Sequence, residues 1–258
     1  MNFETIIVTE QDSSIIIAFN RPNNKNSINR LLLHEINKVL DYAESNASCR
    51  LVIFKGTKDF FCTGLDFEEV ATLHDRQQLE QWGTLYTQTL RRFTESSKII
   101  VSCIEGKAIA GGLGFVAASD WVIATDNAHF KLSEALWGLL PAMIAPYLIR
   151  RIGFQQTYSM TFTCRGVSPQ EAQAIHLIDK LNNDVNEAIK RLSIRLSRTS
   201  TSTVKEMKAY FKKLYPISPS TEKDAIDEFA TLLLKPEVQA NIHRYLESGK
   251  LPWEDVVA

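Results

Sequence analysis

Two runs rich in β-branched residues, "TIIVTE" and "SIIIAF", flank the polar stretch Gln11-Asp12-Ser13. Valine, isoleucine and threonine are stiff at χ1 and favour extended backbone, so "TIIVTEQDSSIIIAFN" is predicted to be a hairpin. "RPNNKNS" reads as an irregular loop, with Ser27 placed to cap the next helix. In that helix Ile28, Leu31, Leu32, Ile36, Val39 and Leu40 recur at helical spacing. "RLVIFKG" is the next strand, and "DFFCTGLDF" is the loop beyond it. A polar-amphipathic helix is expected from about Asp75 to Phe93, followed by "KIIVSCIEG", whose unbroken apolar run predicts a buried strand. "GFVAASD" reads as a short helix, and "WVIAT" and "HFKLSE" as short extended segments. This alternation up to about Thr125 predicts an α/β domain. Past about Pro141 the pattern turns helical, through "PAMIAPYLIRRIG", "QQTYSMTF", "SPQEAQAIHL", "VNEAIKRLSIRLSR", "TVKEMKAYFKKL" and "EKDAIDEFATLLL". "SRTSTSTVK" and "YPISPSTEK" read as capped helix junctions, not domain linkers.

Composition narrows the function classes. At 258 residues and 45% hydrophobic content, the chain can bury the core of one large domain, with or without a small appendage. A net charge of −1 argues against bulk attraction to nucleic acid or an anionic membrane. No apolar run reaches the roughly 18 residues of a membrane-spanning helix, and "MNFETIIVTEQD" lacks the pattern of a secretory signal, so a cytoplasmic location is expected. Cys49, Cys62, Cys103 and Cys164 are scattered without a C-x-x-C pair and read as reduced, buried thiols, ahead of catalytic ones. His34, His74, His129, His176 and His243 show no metal-ligand spacing, so no metal is expected.

The candidate chemistry lies in two loops. "FCTGLDF" follows "LVIFKG", and "AIAGGLGF" follows "IIVSCIEG". Each presents glycine just before a helix, where glycine costs about 1 kcal/mol relative to alanine. Side by side in an α/β sheet, such loops would aim two backbone N–H groups at one point, the arrangement of an oxyanion hole.

"NRPNNKNSIN", "FCTGLDFEEV", "IEGKAIAGGLGFVAASDWVIATDNAHFKLSEALWGLLPA" and "SPQEAQAIHLID", in this order, resemble the crotonase (enoyl-CoA hydratase) superfamily over nearly the whole chain. The resemblance implies an α/β spiral core of ββα units over 1–195, a helical C-terminal trimerisation region over 196–258, and acyl-thioester substrates. It assigns the oxyanion donors to the N–H groups of Leu65 and Gly111, with Ala110 standing where the family has the first of three glycines. Hydratases of the family use two glutamates. The second position is Glu134; the first is Gly114, which has no acid, so the water-orienting place is expected to be empty. A single carboxyl beside an oxyanion hole can remove a proton α to a thioester and return it to another carbon or to a β-hydroxyl. Burial among Leu132, Leu136 and Trp137 would raise its pKa.

"FCTGLDF", Gly114 and "LSEALWGLLPAMIAPYLIRRIG" are further similar to the dehydratases of polyketide β-branching, and the last stretch also to methylglutaconyl-CoA hydratases. This implies dehydration of 3-hydroxy-3-methylglutaryl carried on an acyl carrier protein, with no cofactor beyond the phosphopantetheine of the carrier protein or of CoA. An enoyl-CoA isomerase and a methylglutaconyl-CoA hydratase-like enzyme are the alternatives; a non-enzymatic thioester- or RNA-binding scaffold is a third reading, which the net charge and Glu134 disfavour. Candidate substrate contacts are Asp66, Tyr86, Lys131 and Trp137, although Asp66 also suits a helix cap, Tyr86 core packing and Lys131 a solvated strand end. Lys25 matches a loop that borders the pantetheine or nucleotide in relatives. Lys205, Lys208 and Lys212 share one helical face and could meet an acidic carrier protein, the solvated face being the plainer reading. A homotrimer or dimer of trimers is expected.

Overall fold

Strands β1 (Ile6–Gln11) and β2 (Ser14–Phe19) form the antiparallel hairpin, with Gln11 opposite Ser14. The computed structural model describes residues 2–196 and 198–254. After the hairpin come α1 (Arg30–Ser45), β3 (Leu51–Lys55), β4 (Phe60–Cys62), α2 (Phe67–Val70) and α3 (Arg76–Glu95). Next are β5 (Ile99–Ile104), β6 (Lys107–Ile109), α4 (Gly112–Ala118), β7 (Trp121–Ala124), β8 (His129–Lys131) and a 3-10 turn, Glu134–Trp137. The remainder is α5 (Ala145–Ile152), α6 (Phe154–Thr163), β9 (Gly166–Val167), α7 (Pro169–Ala174), β10 (Lys180–Leu181), α8 (Val185–Leu196), α9 (Thr201–Leu214), α10 (Pro219–Leu233) and α11 (Pro236–Ser248).

The strands form two sheets, β1-β2-β3-β5-β7-β10 and β4-β6-β8-β9. Pairs β2–β3, β3–β5, β5–β7, β4–β6 and β6–β8 are parallel. Each step of the spiral lays one strand in the large sheet, one in the small sheet, then a helical segment: β3-β4-α2, β5-β6-α4 and β7-β8-3-10 turn. This is the spiral of ββα units that the resemblance implies. Residues on β3 and β5 alternate between two apolar clusters. Leu51, Ile53, Ile99 and Val101 pack with Val185, Ala188 and Val204 of α8 and α9. Val52, Phe54, Ile100 and Ile104 join the main core with Leu40, Leu90 and Phe115. Apolar packing on both faces explains why these strands read as continuous hydrophobic runs. The main core also takes in Phe229, Leu233, Val238 and Ile242, so the C-terminal helices share the spiral's core.

Four local expectations change. The cap of α1 is Asn29, whose side chain accepts from Leu32 N at 2.9 Å, and not Ser27. Ile28 is held in a parallel bridge to Leu65, so the helix cannot begin before it. Within "DFFCTGLDF" the first apolar residues form β4. Helix α11 had no prediction, because Val238 and Ile242 are its only fully buried positions and leave a weak period. On α9, Lys208 is not on a solvated face: it is buried, and its Nζ donates to Phe93 O (3.1 Å) and Lys98 O (2.9 Å) and pairs with Asp120. Its stem follows the apolar face that carries Val204, and its ammonium reaches carbonyls at the end of α3 and just before β5.

Candidate active site

Strands β4, β6 and β8 are neighbours and parallel, so the segments that leave them emerge at one edge of the small sheet. Those segments carry Leu65, Gly111 and Glu134, one from each successive turn of the spiral, and all three line one cavity of about 530 Å³.

Glycine is required here by close approach. Gly64 has φ +86°, and a Cβ there would stand 2.9 Å from both Ala110 Cβ and Gly111 N. A Cβ on Gly112 would meet the carbonyl oxygen of Cys62 at 2.2 Å, backbone against backbone. Ala110 takes φ +49° with its N–H on Lys131 O at 2.9 Å, a left-handed conformation that glycine adopts without the roughly 1 kcal/mol or more that alanine costs.

The bridge between Ile28 and Leu65 fixes the first N–H. Ile28 N donates to Gly64 O at 2.7 Å and Asp66 N to Ile28 O at 3.0 Å, which turns the N–H of Leu65 to the other side. Gly111 caps α4, and its N–H is one of the unsatisfied donors of a helix start. Neither N–H has an acceptor among the described residues. Two bare donors at a helix N-terminus favour an anionic oxygen.

Asp66 caps α2 by accepting from Glu68 N (3.0 Å) and Glu69 N (3.2 Å). Its other oxygen accepts from Arg21 (2.7 Å) and Ser27 Oγ (3.1 Å). With four donors on it, this carboxylate clamps the Leu65 loop, and it also lines the cavity.

Glu134 opens the 3-10 turn. Its Oε2 is buried with no hydrogen-bond partner among the described residues. Burial pushes its carboxyl up to about 7, against the lowering effect of backbone N–H groups at Glu134 and Ser133. A carboxyl that titrates near neutrality and has a free oxygen in a cavity suits proton transfer.

Tyr86 reaches in from α3, buried, and its hydroxyl donates to Gly111 O at 2.5 Å. The place beside Gly114 is not empty: Tyr86 and Ile144 fill it. Trp137 lines the cavity within an aromatic wall, with ring centroids 4.6 Å from Phe67, 5.3 Å from Tyr245 and 5.8 Å from Trp253. Lys131 also lines it, its Nζ 5.8 Å from the Trp253 ring centroid. Lys25 lines the cavity from the loop whose carbonyl accepts from Thr63 Oγ1 at 3.1 Å.

Lys205, Lys208 and Lys212 do not line this cavity. Lys205 is exposed, Lys208 is buried as described, and Lys212 pairs with Glu95. The lysine missed from sequence is Lys107 on β6, opposite His129 of β8; its charge and that of Lys131 lower the pKa of His129, after the effect of burial. Tyr245 and Trp253 were missed too, since nothing local in the sequence tells that C-terminal aromatics return to the site. All four cysteines are free and buried, and burial pushes Cys62 and Cys103 up to about 12. No cluster of metal-ligating side chains occurs among the described residues, nor any helix long and apolar enough to cross a membrane.

A family model described as enoyl-CoA hydratase/isomerase matches residues 9–256. Bacillaene synthase dehydratase PksH of Bacillus subtilis is 34% identical over 257 residues, covering 99% of this chain and 98% of its own. A 2,3-dehydroadipyl-CoA hydratase of Escherichia coli is 28% identical over 205 residues, 76% of each chain. The crystal structure of a polyketide biosynthesis enoyl-CoA hydratase, PksH, from Bacillus subtilis superposes with a TM-score of 0.89 at 32% identity, over 97% of this chain and 100% of that one. An enoyl-CoA hydratase from Mycobacterium avium, at 23% identity, shares the fold with a TM-score of 0.85 over 96% of this chain and 98% of its own. Taken with the spiral that gathers Leu65, Gly111 and Glu134, the near-complete family match makes this chain an enzyme of the enoyl-CoA hydratase/isomerase, or crotonase, family.

Proposed function

We propose that the protein is a hydro-lyase that dehydrates a 3-hydroxy-3-methylglutaryl thioester, carried on an acyl carrier protein, to the 3-methylglutaconyl thioester. The observation that carries this reading is the carboxyl of Glu134, with its Oε2 unpartnered among the described residues, in one cavity with the free N–H groups of Leu65 and Gly111, where position 114 has no acid. The thioester oxygen accepts from both N–H groups. Glu134 removes the α-proton, and the enolate charge falls on the donors, each worth about 3 to 4 kcal/mol in sites of this kind. The same carboxyl then gives the proton to the β-hydroxyl, which leaves as water. The reaction is redox-neutral, and acid–base chemistry with hydrogen-bond donors suffices for it.

The likeness to PksH, named as a dehydratase of bacillaene synthase, supports dehydration in polyketide assembly. Lys25, Lys107 and Lys131 line the cavity with no ion-pair partner among the described residues, which suits the phosphate of a pantetheine arm and an acidic carrier protein. These replace Lys208 and Lys212 as the proposed carrier-facing lysines. Exposed aromatics on α6 (Phe154, Tyr158, Phe162) and α9 (Tyr210, Phe211) suit burial between copies of the chain, in keeping with a trimer.

The test offers the acyl group on a carrier protein and on CoA and follows the thioester by mass. Loss of one water, faster on the carrier protein, is expected. Double-bond migration in a simple enoyl-CoA with no water lost from the hydroxyacyl group would favour an isomerase and overturn the reading.

A further inference from the structure

Tyr86 stands where the missing acid would grow. A Cβ built on Gly114 would lie 2.1 Å from Tyr86 Oη, and one on Gly111 would lie 3.5 Å from the same atom. The hydroxyl therefore sits over the first turn of α4, in the volume a side chain at position 114 would enter. Its proton is committed to Gly111 O, which leaves the oxygen lone pairs as acceptors. Burial holds the phenol well above its usual value of 10.0, so it keeps its proton at neutral pH. Tyr86 and Glu134 line the same cavity.

Dehydration demands more than one carboxyl supplies. The β-hydroxyl must be held with its oxygen turned toward the proton on Glu134, and its own hydrogen needs an acceptor in a site shielded from water. We propose that Tyr86 Oη accepts a hydrogen bond from the β-hydroxyl of the substrate and then from the departing water, so that a phenol on α3 does the work of a carboxylate on α4. The inference rests on the dehydration reading above. In the step itself the α-C–H bond breaks and its proton passes to Glu134. The electron pair, held as the enolate, forms the new C–C π bond as the β-C–O bond breaks. The leaving oxygen takes the proton from Glu134 and departs as water. Tyr86 neither gains nor loses a proton.

Tyr86→Phe keeps the ring that packs 5.6 Å from Trp82 and 5.9 Å from Phe115, centroid to centroid, and removes the oxygen. Two rates are compared on that variant. One is dehydration of the 3-hydroxy-3-methylglutaryl thioester. The other is deuterium exchange at the α-carbon of the 3-methylglutaryl thioester, which has no β-hydroxyl and needs only the base and the oxyanion donors. Dehydration is expected to fall about 100-fold, with exchange within about threefold of the parent enzyme. An equal fall in both would mean that Tyr86 acts only by positioning the Gly111 peptide, and no change in either would reduce it to packing; each result overturns the proposal. Fluorotyrosine at position 86 keeps the hydroxyl but weakens its lone pairs, and serves if the phenylalanine variant does not fold: dehydration should slow with exchange unchanged, and equal rates would overturn the proposal. A parent enzyme that exchanges α-protons yet releases no water would instead sink the dehydration reading.

Discussion

Replacing Glu134 by glutamine should stabilise the fold, and more so as pH rises. The carboxyl titrates at about 7 in the folded state, against an ordinary value of 4.5. Between those values the folded chain holds more of this proton than the unfolded chain, so the native enzyme loses stability as pH climbs through the window. The separation, at 1.36 kcal/mol per pKa unit, gives an upper bound of about 3 kcal/mol. Glu134 is partly exposed although its Oε2 is not, and solvent screening reduces that bound. Glutamine has the same shape and no charge to desolvate. Urea unfolding of both proteins from about pH 5 to about pH 8 isolates the term, because titrations distant from the site cancel in the difference. The expected gap is small at the acid end, favours Glu134→Gln increasingly toward about pH 7, and levels off above it. Parallel stability curves would refute the argument that burial raises this carboxyl.

Gly112→Ala should cost about 3 kcal/mol in denaturant unfolding, because its Cβ would meet the Cys62 carbonyl oxygen at 2.2 Å and neither backbone can turn aside. Lys208→Met should cost a similar ~3 kcal/mol by leaving Asp120 and the carbonyls of Phe93 and Lys98 without their donor, whereas Lys205→Met should shift the unfolding midpoint hardly at all. Reversing the charges of Lys25, Lys107 and Lys131 should raise KM for a carrier-bound substrate and flatten its salt dependence, read by steady-state assays at several ionic strengths, while a short pantetheine thioester lacking phosphate is spared; equal damage to both would assign these lysines to the chemistry or the fold.

The strands were legible where both sheet faces are apolar, as in "RLVIFKG" and "KIIVSCIEG", and α3 where polar and apolar positions alternate with the helical period. The glycine loops could be singled out because each lies in one short segment whose residue types already imply its conformation, and Glu134 because the family resemblance places a catalytic carboxylate there. Tyr86 was legible only as a candidate contact that core packing explained as well, since its place comes from a contact between α3 and α4 that no local pattern encodes. Lys208 misled for the opposite reason: a lysine on an amphipathic helix ordinarily faces water, and only the carbonyls of Phe93 and Lys98 and the carboxylate of Asp120 offset the cost of its burial. Trp137 was a candidate from sequence, but the Tyr245 and Trp253 that complete its aromatic wall come from far along the chain and were hidden.

The mechanism needs one carboxyl to serve as base and then as acid. Its most direct test is the turnover of 3-hydroxy-3-methylglutaryl carrier protein by purified Glu134→Gln, followed as loss of one water by mass, with the melting transition confirming the fold. A fall of at least ~100-fold in a folded protein is predicted. Near-normal release of water by that variant would contradict the single-carboxylate mechanism.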